Sequence, residues 1–390
     1  MKKLSLAVFS FILLLIIGCA EKPKNVGGSL IDPNDVFTIA DTVFTSTSDT
    51  SYRAVYAPGL GAVTITGRLS NNDESIALFH FIPDGTIDSL KGAQIDTVEL
   101  SLYVNYRLQP SLPMIEFDIK KIETSWLQSS FTYDSLSSFV VFPDSILGTF
   151  KDSMNYGATV IAQLKKDYIR RWADSYIDTG NHDQYYGFTV QARTTPTGLI
   201  GFEPFNSLSG IYPRLLIKYT KNGTRDSVVV ISGEDTFVSK FGTVTTFAPI
   251  TVHAAFGVRS KINFNLSALV NKPTINRAVL ELTLADSLFS GFSPDSVIAL
   301  LGMDSINADR SDSTVYVFGY RKEVIANQSP IYSFNVSNIV QRWISGLKPN
   351  YGLTLRWAAE FSSAEKAVFF SSTAADITKR PKIKITYSKK

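Results

Sequence analysis

The sequence predicts an all-β protein: two tandem β-sandwich domains of jelly-roll-like type, each carrying one short amphipathic helix. Three observations predict it. From Phe37 onward, short runs of alternating apolar and polar residues are separated by Gly, Pro, Asn, Asp and Ser, the pattern of half-buried strands joined by turns. Five elements recur in the same order in the two halves of the chain. The composition, 44% hydrophobic and 19% charged over 390 residues, is that of a globular chain too long for a single core.

The elements begin with a leader. Lys2 and Lys3 precede an apolar run from Leu4 to Gly18, the basic and hydrophobic regions of an export signal. The run is shorter than the ~20 residues a membrane-crossing helix needs. The only cysteine, Cys19, follows it, whereas an exported protein stapled by disulfides would carry an even number. Ile16-Ile17-Gly18-Cys19 resembles the bacterial lipoprotein box. That resemblance implies loss of residues 1–18 and acylation of Cys19, with the lipid anchor making the membrane a partner; Ala20, in place of an aspartate, implies the outer membrane. Residues 19–36 hold two prolines and a Gly-Gly pair without any period. They are expected to form a flexible tether spanning about 50 Å when extended.

The recurring elements fill the rest. "DTVELSLYV" (96–104) sets Val98, Leu100, Leu102 and Val104 on one face, and "AVLELTLAD" (278–286) sets Leu280, Leu282 and Leu284 there, with Glu99 and Glu281 outward. Upstream, "ALFHFIP" (77–83) parallels "INFNLSA" (262–268), matching Phe79 with Phe264 and Phe81 with Leu266. A helix is predicted over 159–172 from Val160, Ile161, Leu164, Tyr168 and Trp172. A second is predicted within 334–346 from Val336, Ile339, Val340 and Trp343, capped by Ser337 and stopped by Gly346. Each is followed by an aromatic-Gly strand, "YYGFTVQA" (185–192) or "NYGLTLRW" (350–357), and by a closing strand, "YPRLLIKYT" (212–220) or "RPKIKITYS" (380–388). Asn222-Gly223 is a turn signal. The expected division therefore lies there, with a first domain at 37–221 and a second at 222–390.

This ordered set resembles the DNRLRE-type surface domains of bacteria and archaea, also treated as carbohydrate-binding modules. The likeness rests on "ETSWLQ" (123–128), "NIVQRWISG" (338–346), "NYGLTL" (350–355) and "RPKIKITY" (380–387), and covers about residues 40–220 and 235–388. It implies a β-sandwich in cell-surface proteins or beside polysaccharide-processing domains, and polysaccharide as ligand.

Charge and motifs exclude other classes. The formal net charge is +3, falling to +1 once Lys2 and Lys3 leave with the leader, so nucleic acid is not an expected partner. The sequence has no nucleophile elbow and no P-loop, and Gly59-Leu60-Gly61 has no following helix to bind a dinucleotide. His80, His182 and His253 show no metal-ligand spacing and read as surface or loop residues. No cofactor is expected. "DPND" (32–35) and "NADRSDS" (307–313) could hold Ca²⁺ through oxygen ligands, but such clusters are mostly turn formers. Paired glycosidase carboxylates are set by space, not spacing, and 35 acidic residues leave many accidental candidates.

Aromatic residues are the candidate ligand-binding groups. Trp126 and Tyr133, with Tyr185 and Tyr186 near them in type, could offer a flat face to a sugar; core packing is the alternative for Trp126. Its segment is loop-rich, and the second copy has no tryptophan within Met303–Arg310. Trp172, Trp343 and Trp357 fall on apolar faces and read as core. The expected function is a non-catalytic, lipid-anchored envelope protein that binds or scaffolds, with polysaccharide as the ligand implied by resemblance. The alternatives are a polysaccharide-acting enzyme and a structural component of a secretion or adhesion assembly.

Overall fold

A computed structural model describes residues 37–389, apart from 60, 109–114, 138–145, 179–184, 194–197, 243–249, 270, 272, 289–295, 303–310 and 322–327. The expected leader and tether, Cys19, "DPND", His182 and residues 307–310 lie outside the described residues. The fold is all-β and sandwich-like, built from two large antiparallel sheets.

The chain enters on β1 (Thr38–Arg53), a strand of 16 residues. It then forms β2 (Thr64–Arg68), β3 (Glu74–Phe81), β4 (Gln94–Leu108), β5 (Ile115–Lys121), β6 (Ile146–Asp152) and β7 (Thr159–Gln163). Helix α1 (Lys166–Ile177) leads to β8 (Phe188–Ala192), β9 (Gly198–Phe202), β10 (Arg214–Lys221) and β11 (Thr224–Lys240). The second half repeats the order. It runs through β12 (Ile250–His253), β13 (Val258–Phe264), β14 (Thr274–Leu288), β15 (Ser296–Gly302), β16 (Ser311–Arg321) and β17 (Ile331–Asn335). Helix α2 (Ser337–Ile344) then leads to β18 (Leu353–Trp357), β19 (Lys366–Phe369) and β20 (Lys382–Lys389).

The pairings of the halves correspond, except that β16 also pairs with β17 while no described ladder joins β6 to β7. In the first, β10 lies between β11 and β4, β11 also pairs with β3, and β3 continues through β8 and β5 to β6. In the second, β20 lies between β1 and β14, β1 also pairs with β13, and β13 continues through β18 and β15 to β16. The long strands thus change places. β1 completes the second body and β11 the first. Their registers coincide: Thr224 faces Lys221 and Thr38 faces Lys389, and each strand bulges at the same point, between Ser232 and Glu234 or between Ser46 and Ser48. At that bulge the Ser232 N–H donates to the Pro213 carbonyl and the Ser46 N–H to the Pro381 carbonyl, both at 2.9 Å. Bulges sharpen strand twist, which lets one long strand serve two partners in succession.

This arrangement departs from the division expected at 221/222. Asn222 and Gly223 both take positive φ, 52° and 78°, the conformation of a two-residue hairpin turn. The turn therefore folds β11 back on β10 inside the first body, and the sheets do not part there. The strand repeat is also displaced by two from the sequence match. Ser232 faces Phe81 and Ser46 faces Phe264, so Phe81, not Phe79, is the counterpart of Phe264. A shift of two keeps both side chains on the same face.

The helices differ from expectation at their starts. Residues 159–163 form β7, whose burial alternates, with Val160 and Ala162 inside and Ile161 57% exposed. Helix α1 begins at Lys166 and buries Tyr168, Ile169, Trp172 and Ala173. Helix α2 buries Ile339, Val340 and Trp343 as expected. Ser337, however, turns its hydroxyl to strand β14, accepting from the Ala278 N–H at 2.8 Å, and does not cap. Gly346, at φ 77°, ends that helix.

Each body has its own apolar core, with Val98, Leu100, Ile217 and Trp172 in the first and Leu280, Leu282, Ile385 and Trp357 in the second. A third cluster joins them. Val63, Ile65, Tyr106, Leu108 and Phe237 from the first body pack with Ala255, Phe256, Val258 and Ala364 from the second. Around it the Tyr106 hydroxyl accepts from the Ala364 N–H at 3.0 Å, and the Tyr56 and Phe361 rings lie 4.9 Å apart.

Candidate functional site

The loop-rich segment after β5 places both aromatic candidates. Ile122, Trp126 and Phe131 fold down onto Ile76 and Leu78 of β3 and Val238 of β11, forming a small buried cluster. Trp126 is only 8% exposed, and its Nε1–H donates to the Tyr186 carbonyl at 2.7 Å. A depression of about 470 Å³ borders it, but the indole is a wall sealed into the fold and not a free platform. The loop context that made Trp126 look exposed hides a second apolar layer outside the sheet.

Tyr133 has a different task. Its ring is half-buried under the Arg53 guanidinium, 3.5 Å from the ring centroid. Arg53 closes β1, and it also donates to the Ser239 carbonyl of β11. A cation over a tyrosine face is attracted by the ring quadrupole. Tyr133 therefore clamps the crossing of the two exchanged strands. Tyr185 packs against Trp172 at 4.9 Å and Phe188 at 5.6 Å, within the first core, and burial raises its hydroxyl pKa well above the ordinary value.

The described histidines do not form a site. His80 is half-buried, with Nδ1 3.4 Å from Glu234 Oε2. His253 is 3% exposed and stacks on Phe256 at 4.4 Å; burial, then the nearby Lys366 charge, lowers its pKa to about 3. That contradicts the surface reading of His253. Among the described residues no group of three His, Cys, Asp or Glu is placed to hold a metal. In the "NADRSDS" stretch, Asp312 accepts from the Thr314 N–H at 3.0 Å and hydroxyl at 2.6 Å, the bonding of a turn former.

The buried carboxylates are held by cations or hydrogen bonds. Glu74 meets Arg68 and Lys240, each at 2.9 Å, and accepts from Gln191 at 3.0 Å. Burial alone would raise its pKa, but these partners hold it below the ordinary value. Glu360 is gripped by Arg259 at 2.8 and 2.9 Å. Asp235 accepts from the Phe205 N–H at 2.5 Å and the Thr64 hydroxyl at 2.9 Å, yet burial raises its pKa to about 6. Its counterpart Asp49 accepts from the Ser372 N–H at 2.6 Å. Both aspartates latch an exchanged strand to the loop following β9 or β19.

What sequence reasoning missed lies on the outer sheet faces. Corresponding strands form a depression on each body, about 440 Å³ over β11, β10, β4 and β7, and about 430 Å³ over β1, β20, β14 and β17. In the second, Glu281 meets Lys384 at 2.9 Å and Lys382 at 3.9 Å, Asp41 accepts from the Thr386 hydroxyl at 2.6 Å, and Arg277 borders the same depression. In the first, Ser101 occupies the register position of Glu281, opposite Arg214 as Glu281 is opposite Lys382. The signal available in the sequence was one outward position of the repeat, where Ser101 stands against Glu281.

No family model matches the sequence, and no curated protein matches it.

Proposed function

We propose that the protein is a non-catalytic component of the bacterial cell envelope, lipid-anchored at the outer membrane and acting as a binding scaffold, with polysaccharide as its ligand. The observation that carries the scaffold reading is the exchange of long strands. β1, the first element after the tether, is hydrogen-bonded along one part to β20 and along the other to β13. An anchor at Cys19 would then pull along a strand held by partners in antiparallel ladders. β11 and the apolar joint tie the first body to the same frame. Two acyl chains make such an anchor stable, at about 0.8 kcal/mol per buried CH₂.

Mass spectrometry of the mature protein tests the anchoring. The expected result is an N-terminal, acylated Cys19 without residues 1–18; an unmodified Cys19 in the membrane fraction overturns it. A glycan array probed with a soluble form beginning at Phe37 tests the binding role.

A further inference from the structure

We infer that the outer face of the first body, over β11, β10, β4 and β7, docks with the loop preceding β10 on a phospholipid surface. The inference rests on the lipid-anchored reading and assigns the part of the molecule that lies against the membrane. Ile211, Val229 and Ile231 border one depression of about 440 Å³ and are 41%, 47% and 52% exposed. The strand registers extend this area across the sheet. Ile231 is opposite Arg214, Arg214 opposite Ser101, and Ser101 opposite Ile161, itself 57% exposed. Exposed aliphatic residues are ordinary when scattered singly, but gathered on one face they mark a surface that an apolar partner covers.

Leu208, midway along the loop between β9 and β10, is bare altogether, at 104% exposure. Serines fix the backbone on either side of it. The Ser207 hydroxyl donates to Glu203, the Ser209 N–H donates to the Ser207 hydroxyl at 3.1 Å, and the Ile211 N–H donates to the Ser209 hydroxyl at 3.1 Å. The loop thus holds Leu208 out in water, from which transfer into an acyl layer is favourable. Charge points to the occupant. In the row of Val229, Leu216, Glu99 and Gln163 the carboxylate is met by Lys218 at 2.9 Å, and Arg214 has no ion-pair partner among the described residues. A guanidinium binds phosphate oxygens through parallel N–H···O bonds. The half-buried Tyr103 and Tyr212 border the same depression, and tyrosine favours the headgroup level of a bilayer. Reach is sufficient, since residues 19–36 span about 50 Å when extended and join the described structure at Phe37.

Tryptophan quenching by lipids brominated on their acyl chains tests the assignment. The chain from Cys19 is coupled through that thiol to a maleimide phospholipid, in vesicles of phosphatidylethanolamine and phosphatidylglycerol, so that tethering does not depend on acylation. The four native tryptophans are each 8% exposed or less, so an added indole carries the signal. Leu208→Trp and Ile231→Trp should each lose about half or more of the added fluorescence in brominated against ordinary lipid, and Ile377→Trp on the second body, a position 68% exposed, should lose none. In the Leu208→Trp chain, Ile231→Asp and Arg214→Gln should each reduce the quenching about twofold or more, with unchanged melting temperatures. Absence of quenching at both first-body positions, or equal quenching at Ile377→Trp, overturns the docking surface. Absence of quenching together with a dimer in solution that Ile231→Asp abolishes overturns the lipid assignment and gives the face to a second copy of the chain. Quenching as expected with an unmodified Cys19 by mass spectrometry leaves this surface standing and overturns the anchor alone; an acylated Cys19 without quenching does the reverse.

Discussion

At the residue scale, Trp126 and Trp343 show why a tryptophan's role is hard to read from its neighbours. Sequence context separates them, one in a loop and one on an amphipathic helix, yet they are 8% and 7% exposed. The partner surface that buries Trp126, Ile76 and Leu78 on the outer side of β3, comes from elsewhere in the chain. Trp126→Ala and Trp343→Ala should therefore both cost about 3–5 kcal/mol, read by denaturant unfolding. A Trp126→Ala variant as stable as the parent would return the indole to a ligand role. Two buried ionisable groups make a second prediction. The folded pKa of His253 is lowered to about 3, so its contribution to stability is full above the unfolded value of about 6.5 and falls as pH drops toward 3. The folded pKa of Asp235 is raised to about 6, so folding is favoured by its protonation, and stability falls as pH rises from about 4 to 6. The slopes oppose each other between about pH 4 and 6, each at most roughly 1.4 kcal/mol per pH unit. Relative to the parent, His253→Phe should gain stability as pH falls through that window, and Asp235→Asn should lose it. Parallel pH profiles for all three proteins would show that neither group is linked to folding.

At the scale of elements, the alternation of β4, β10, β14 and β20 was legible because each has one face on a core, and period two survives in the sequence. The start of α1 was not. Val160, Leu164 and Tyr168 are four apart, a spacing that fits a helix face and an alternating strand alike; only the exposure of Ile161 separates the two. Strand exchange was less legible still, since a strand's partner is not encoded in its own pattern. One signal was present: Ser46, Asp49 and Thr50 recur as Ser232, Asp235 and Thr236, the positions of the bulge and the latch. The outer-face depressions were unread for a related reason, because each forms only where strands distant in the chain lie side by side. Exchange also makes a prediction. A cut between Lys221 and Thr224 leaves each fragment without the long strand that completes its body, exposing the ladder edges of β3 and β10 or of β13 and β20. Fragments 37–221 and 222–390 should each lack cooperative unfolding when expressed singly and regain it when refolded together, as followed by circular dichroism. Independent, native-like melting of either fragment would show that the exchanged strand is dispensable.

At the scale of the whole molecule, the two bodies are coupled by covalent crossings and by burial. β1 leads to the first body and β11 to the second, so unfolding either body takes a strand from a chain segment leading into the other. Val63, Ile65, Phe237, Phe256 and Val258 of the joint are each 3% exposed or less, and removing such surface from water is worth roughly 25 cal/mol per Å². Inter-domain contacts of the ordinary kind are more polar and allow the parts to move and melt separately. Here the expectation is one transition in denaturant, the same by fluorescence and by circular dichroism. Phe256 is the ring to remove, because it is fully buried in the joint, stacked on His253 and 5.2 Å from Phe241. Phe256→Ala should cost about 3–5 kcal/mol. The transition should still remain single, because β1 and β11 hold the bodies together after the apolar contact is weakened. If the parent chain already melts in two resolved steps, the joint does not couple the bodies; if only the variant does, the joint and not the strand exchange is what unites them.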